Sequence, residues 1–585
     1  MHAVSIQGSA LLLALTTVSL LAPACASTTA SEGGDSATSD GDDDDGDVAD
    51  PPIGGFEWFD CPGEFVSRCA RVPVPLDHFQ PDGAKIEVLI SRLPARQQPA
   101  TRQLWLLRGG PGESGEVFSD VAQEFANAAG DLDVYVLEHR GVGESTRLEC
   151  PVQEALESDG GFAITDAELP ACLAALHEQW GPGMVPFTTT SAAQDLNYVL
   201  RAIQGADATS PQGSQAVYLY GEAYGAWWAL RYLQLADAIR PAGVMLDSLI
   251  APGQQWLSDF DTQFDPVLAE LMTTHCAADE VCHAKLGPDA WARVQAVVAA
   301  MSEGHCAELG LDPGLLRQVA ALLLIIPVDV LRGHLAPLFY RLERCNEGDV
   351  AVLAQYFTTL LDVLSQGPTE RSSFSLPLQR HLTLSELWEQ PPPSVTDLVA
   401  ACEQSIACPY TAVSMGVYYD LWPRYPRDPL AGQWPLTDVP VLTLSGGLDA
   451  QTPHQTASTV VDYLAAPHQH YVQVPTASHT VMLSSPVRTP GAPTCGMQMM
   501  HRFIADPLAV AIDTACLGDL VPVNFTDTSD IGAFLFGGDV WENRSDARGP
   551  VTRPDWNRLI EVLQRGEPAT MAHRLKQRSR SSSAL

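Results

Sequence analysis

Short apolar runs alternate with stretches of helical period along most of the chain. Runs at 86–93, 103–107, 134–138, 216–219, 244–247, 440–445 and 471–474 are rich in Val, Leu and Tyr and bounded by Gly, Asp or Pro. That composition predicts strands. Several are apolar almost throughout, as strands covered on both faces of a parallel sheet are. A helical period follows the fourth run, in AYGAWWALRYLQLADAI. Alternating strands and helices predict an α/β fold, whose ligands bind beyond the carboxyl ends of the strands. From 254 to about 430 the strand pattern fades, and segments such as AWARVQAVVAAM and LLRQVAALLLII take over. A helical insertion between two strands of a sheet reads as a cap.

The first fifty residues have a different character. Residues 11–21 form an apolar run too short to span a bilayer, followed by small residues, which is the shape of a signal peptide. Ala22-Pro23-Ala24 fits a small-x-small cleavage site. Leu21-Ala22-Pro23-Ala24-Cys25 also resembles an imperfect lipobox with Cys25 as the lipid acceptor. Residues 31–50 then carry nine acids and no base. With almost nothing apolar to bury, they predict a solvated tether. A calcium loop would need the spacing D-x-[DN]-x-[DN]-G and a twelfth Glu, which are absent.

Charge narrows the choice further. With Lys+Arg 33 against Asp+Glu 71, the 585 residues carry a formal net charge of −38. So acidic a surface repels phosphate backbones and anionic headgroups, which argues against nucleic-acid binding and leaves a lipid at Cys25 as the expected membrane contact. Of 13 cysteines, setting Cys25 aside leaves an even number. Cys61 and Cys69, Cys150 and Cys172, Cys276 and Cys282, Cys402 and Cys408, and Cys495 and Cys516 lie close in sequence, leaving Cys306 and Cys345. In an oxidising compartment this spacing reads as local disulfides, although sequence alone does not fix connectivity. The rival is a metal site at His275-Cys276 and Cys282-His283, but neither pair has the short CxxC spacing of zinc sites.

The chemistry centres on VYLYGEAYGAWWALRYL, a strand, a tight turn and a helix. Gly221-Glu222-Ala223-Tyr224-Gly225 has the form of the nucleophile elbow G-x-S-x-G, with Ala223 at its centre. Alone, this is an ordinary glycine-bearing turn. Its company changes the reading. Upstream, WLLRGGPGESG ends a strand in a turn whose N–H groups suit an oxyanion hole. Downstream, Asp449 follows a strand in VPVLTLSGGLDAQTP, and His479 follows the last strand in YVQVPTASHTV. Elbow, acid, histidine is the chain order of an α/β-hydrolase triad.

Together with VPVPLDH near Pro73, RGVGES at Arg140, QDLNYVLRAI at Asp195 and VMLDSLIAP at Asp247, these motifs resemble the secreted proline iminopeptidase and tripeptidyl aminopeptidase group of the α/β-hydrolase fold. The resemblance runs from about Phe56 to Phe525. It implies release of amino-acid or peptide units from free N-termini beneath a helical cap. It also implies His479 as general base, Asp449 as its orienter, and Gly109, Gly110 and Tyr224 as oxyanion donors. The departures are Ala223 at the nucleophile position, Glu113 after the GGPG turn, and Glu138-His139 before the Arg-Gly pair.

A methyl group cannot attack a carbonyl, and losing a triad nucleophile removes on the order of 10⁶ in turnover. Three readings follow: a binding protein that keeps the hydrolase pocket for a peptide or small molecule; a hydrolase in which His479 and Asp449 activate water, or Glu222 or another side chain substitutes; or a serine hydrolase whose catalytic Ser has been changed to Ala. The cap acids Asp261, Asp265, Glu270 and Asp279 are candidates to hold an α-amino group. No P-loop, dinucleotide fingerprint or HExxH is present, and no cofactor is expected. The expected organisation is a leader at 1–26, an acidic linker at 27–55, hydrolase core at 56–253, cap at 254–430, returning core at 431–545, and a C-terminal extension at 546–585 with a basic end. An exported protein is expected, secreted, periplasmic or held at the cell surface.

Overall fold

The computed structural model describes residues 53–61, 67–161, 164–165, 167–205, 215–364, 373–543 and 554. The leader, Cys25, the acidic run and the basic end lie outside the described residues. Among those described, the strands are β1 (Phe59–Asp60), β2 (Arg68–Pro75), β3 (Lys85–Leu93), β4 (Arg102–Leu107), β5 (Leu132–Leu137), β6 (Ala216–Glu222), β7 (Gly243–Asp247), β8 (Val441–Gly446) and β9 (Gln469–Val474). They form one sheet in the order β1-β2-β3-β5-β4-β6-β7-β8-β9. β3 runs antiparallel to both β2 and β5, whereas β5, β4, β6, β7, β8 and β9 pair in parallel. The carboxyl ends of the parallel strands therefore share one edge, where the candidate residues collect.

Alternation along the strands builds two cores. Leu104 and Leu106 of β4 pack on one face with Phe125 of the helix Ser119–Ala128 and with Met500 and Phe503 of the helix Cys495–Ala505. Trp105 and Leu107 face the other way, with Leu196 of the helix Thr189–Gln204 and Trp228 of the helix Tyr224–Leu233. Successive side chains of a strand point to opposite faces, so one strand serves both layers. The second core runs on without interruption into the cap.

Two strands are absent from the sequence reading, β1 and β2. In β2 the run RCARVPVP carries Pro73 and Pro75, and proline donates no ladder hydrogen bond. β2 tolerates them because β1 covers only Cys69 and Arg68, which leaves the outer side of both prolines unpaired. Between β7 and β8 the described residues form helices and no strand, including Ala290–Ser302, Pro313–Ile325, Asp329–Arg344, Glu347–Leu364 and Leu376–Ser385. That is the cap. The segment after Val523, placed with the returning core in the sequence reading, folds back onto these helices. Arg341, fully buried, donates to Val540 O at 2.9 Å and Glu542 O at 2.9 Å, and His334 Nε2 meets Asp527 Oδ2 at 2.6 Å.

The sulfurs of Cys61 and Cys69, Cys150 and Cys172, Cys276 and Cys282, Cys306 and Cys345, Cys402 and Cys408, and Cys495 and Cys516 are bonded, with Cα–Cα separations from 4.9 to 5.6 Å. Those separations are the usual span of a disulfide. No helix among the described residues is long and apolar enough to cross a membrane.

Candidate functional site

Ala223 lies between β6 and the helix Tyr224–Leu233, with φ 49° and ψ −117°. Left-handed backbone of this kind disfavours any residue with a Cβ. The flanking glycines are obligatory. A Cβ on Gly221 would overlap Gly225 O, and one on Gly225 would overlap Leu107 O. Ala223 is buried, and its N–H donates to Asp247 O at 2.9 Å. The turn thus keeps the geometry of an elbow with a methyl group at its apex.

The GGPG turn leaves β4 directly beside it. A Cβ built on Gly109 would lie 2.9 Å from Glu222 O and 3.1 Å from Ala223 Cβ, so only glycine allows that approach. Gly110 follows at φ 107°, again a glycine conformation. Tyr224 opens the elbow helix, and the N–H of a first helical residue has no acceptor within its own helix. Gly109 thus lies against Ala223, with Gly110 next to it in the chain and Tyr224 next to Ala223, the neighbourhood an oxyanion hole draws on.

Asp449 follows β8 and His479 follows β9. His479 Nδ1 lies 3.0 Å from Asp449 Oδ2 and 3.1 Å from Oδ1, both residues being buried. Thr452 Oγ1 donates to Asp449 Oδ2 at 2.7 Å, and the N–H groups of Gln451 and Thr452 donate to Oδ1 at 2.9 and 3.0 Å. Burial raises the Asp449 pKa, but the His479 charge and these hydrogen bonds outweigh it and hold the carboxyl below its usual range. With Nδ1 turned to Asp449, Nε2 is the nitrogen left for a reacting group.

Asp247 and Ser248 tie the histidine loop to the elbow. Asp247 accepts from Val481 N at 2.7 Å and Met482 N at 2.9 Å, while Ser248 Oγ accepts from Thr480 N at 2.8 Å. Burial pushes Asp247 up to about 6, against those two N–H groups and the His479 charge. The backbone oxygen of Asp247 receives the Ala223 N–H, so one residue braces both halves of the site. The run VMLDSLIAP contains both residues, yet nothing in its spacing marks them as braces.

Two of the three departures, Glu113 and the Glu138-His139 pair, are accounted for by partners. Arg108 is ion-paired with Glu113 at 2.7 Å and with Glu222, all three being buried. Glu222 also accepts from Tyr220 Oη at 3.3 Å, so its carboxylate is held beneath the turn as a counter-ion. Glu138 accepts from Ser114 Oγ at 2.6 Å, and burial pushes it up to about 7. His139 meets Tyr224 Oη at 3.1 Å, and burial lowers its pKa to about 4.

Three of the four cap acids serve the cap backbone. Asp261 accepts from Thr411 N at 2.7 Å and Val413 N at 3.0 Å, Asp265 from Ala407 N at 2.8 Å, and Asp279 from Cys282 N at 2.8 Å. Glu270 differs. Half-buried, it acts electrostatically on His275 and on His454, and His454 also feels Asp449. Among the described residues, Asp261, Cys402 and Cys408 come close enough to share a metal ion, but both sulfurs are in a disulfide and offer no thiolate.

Elbow after β6, acid after β8 and histidine after β9 of a mostly parallel sheet decide the fold. It is the α/β-hydrolase fold.

No family profile matches the chain. It is similar to the tripeptidyl aminopeptidases of Streptomyces lividans and Streptomyces coelicolor, 25% identical over 277 residues, or 42% of this chain and 49% of each relative. The chain thus spans about half the length of the curated relatives it matches. Solved structures aligned to it include an esterase from Exiguobacterium antarcticum (10% identical, 72% of this chain and 96% of that one, TM-score 0.28). Another is a proline iminopeptidase-related protein of Thermus thermophilus (13% identical, 76% and 98%, TM-score 0.29). At such scores these overlays carry no argument, and the fold rests on the sheet order and the elbow.

Proposed function

We propose that this chain is an exported peptide-binding protein on an α/β-hydrolase scaffold, with Ala223 standing where a working relative places its serine. The elbow carries the reading: its glycines and its positive φ fit a nucleophile position, and the residue there has no nucleophilic atom. The similarity to tripeptidyl aminopeptidases supports peptides as the ligand class. Glu270 supports a free N-terminus, because among the described residues it is the one of the four cap acids with no backbone to cap, and its charge reaches His454, which also feels Asp449. The local cysteine pairs and the apolar leader support export.

Ala223→Ser is the test. A serine there would give its proton to His479 Nε2 as its Oγ bonds to the acyl carbon, and His479 would return that proton to the departing amine. The native protein should resist fluorophosphonate labelling and leave tripeptide p-nitroanilides uncut. The serine variant should be labelled and should cleave them. The intact Asp449–His479 pair favours a second reading, direct activation of water. Native turnover that vanishes in His479→Ala would establish that reading; native turnover surviving both His479→Ala and Asp449→Ala would sink both.

A further inference from the structure

The cap helix Leu376–Ser385 is pinned at both ends to the machinery around Ala223. At its start, Ser375 N donates to Gly112 O at 2.8 Å, and a Cβ built on Gly112 would lie 3.2 Å from Gln379 Cβ. At its far end, Glu386 accepts from Trp227 Nε1 at 3.1 Å and Arg231 Nη2 at 2.7 Å, both on the elbow helix. Gln379, Thr383 and Glu386 are spaced i, i+4, i+7 and so share one helix face. That face runs from the GGPG turn to the elbow helix.

The two residues between the pins are incompletely bonded. Gln379 and Thr383 are 4% and 2% exposed, yet Gln379 Oε1 and Thr383 Oγ1 have no hydrogen-bond partner among the described residues. Buried polar atoms are bonded in the great majority of cases, and an unmet one destabilises the fold. An apolar residue would serve a purely structural helix better. We infer that Gln379 and Thr383 form the roof of the peptide site and bond the ligand backbone, with Gln379 Oε1 accepting a peptide N–H and Thr383 Oγ1 bonding a neighbouring peptide group. This deepens the peptide-binding reading and rests on it. It assigns recognition of the backbone, independent of side-chain identity.

The test is calorimetric binding of trialanine amide, and of its analogue with one peptide N–H replaced by an ester oxygen, to the native full chain and to Gln379→Leu and Thr383→Val. Each variant should bind trialanine amide about 3- to 10-fold more weakly, the range for one lost hydrogen bond. Each should also melt at the same or a higher temperature, since the unmet polar atom is gone. The ester analogue should bind the native chain more weakly than the amide, and that difference should vanish in Gln379→Leu. Variants that bind as tightly as native would overturn the inference and leave the peptide-binding reading standing. So would variants that melt lower with unchanged affinity, since the two atoms would then be holding structural water. A native chain that binds neither probe would overturn the functional reading, and the roof with it.

Discussion

Strain is concentrated where the chemistry would be. Of the non-glycine residues with positive φ among those described, Ala223 (49°), Ser248 (56°) and Thr480 (60°) meet in one place. Such conformations cost of order 1–3 kcal/mol each and persist only where the surroundings impose them. Here Asp247 and Ser248 impose them, by holding the N–H groups of Ala223, Thr480, Val481 and Met482. The backbone of the site is therefore held with a methyl group at residue 223, which is why Ala223→Ser is expected to be labelled by fluorophosphonate without rebuilding. Glu138 makes a second prediction at this scale. Burial raises its pKa from 4.5 to about 7, so the native state holds a proton that the unfolded chain has lost between those values. Stability from this group is fully present below pH 4.5 and is lost as pH rises through about 7. Glu138→Gln should match the native melting temperature near pH 4 and exceed it near pH 8, by an amount equivalent to about 1–3 kcal/mol. Identical melting profiles across that range would refute the assignment.

At the scale of elements, the cap is joined to the core through polar locks as well as apolar packing. Glu386 receives Trp227 Nε1, Arg231 Nη2 and, at 3.0 Å, Tyr425 Oη, with no solvent access of its own. Removing one partner of a buried pair strands the other charge, typically at a cost of about 3–5 kcal/mol. Glu386→Ala should lose that much in chemical denaturation and loosen the cap over the elbow helix, read as faster hydrogen exchange in residues 376–385. Full protection there would show that apolar contacts suffice. β2 teaches the complementary lesson. Its prolines hide it from a propensity reading, and its place near the edge of the sheet makes those prolines harmless.

For the whole molecule, six short disulfide loops divide between core and cap, and the segment from 523 to 543 closes over the cap helices. A peptide map without reduction should recover Cys276 with Cys282 and Cys306 with Cys345, and no free thiol among the twelve; zinc bound at Cys276 and Cys282 would contradict it. The sequence by itself determined the α/β alternation, the helical insertion, and the order of elbow, acid and histidine. Each of these is local: a period, a glycine pair or a residue beside a strand end. Ala223, Asp449 and His479 were legible because the parallel strands deliver their ends to one edge. Other features existed only once the chain had closed on itself. Arg108 tied to Glu222 under the elbow, Asp247 bracing two loops, and Gln379 on the cap helix against Gly112 depend on contacts between residues tens to hundreds of positions apart. A buried charge or amide takes its role from what surrounds it, and sequence spacing does not record the surroundings.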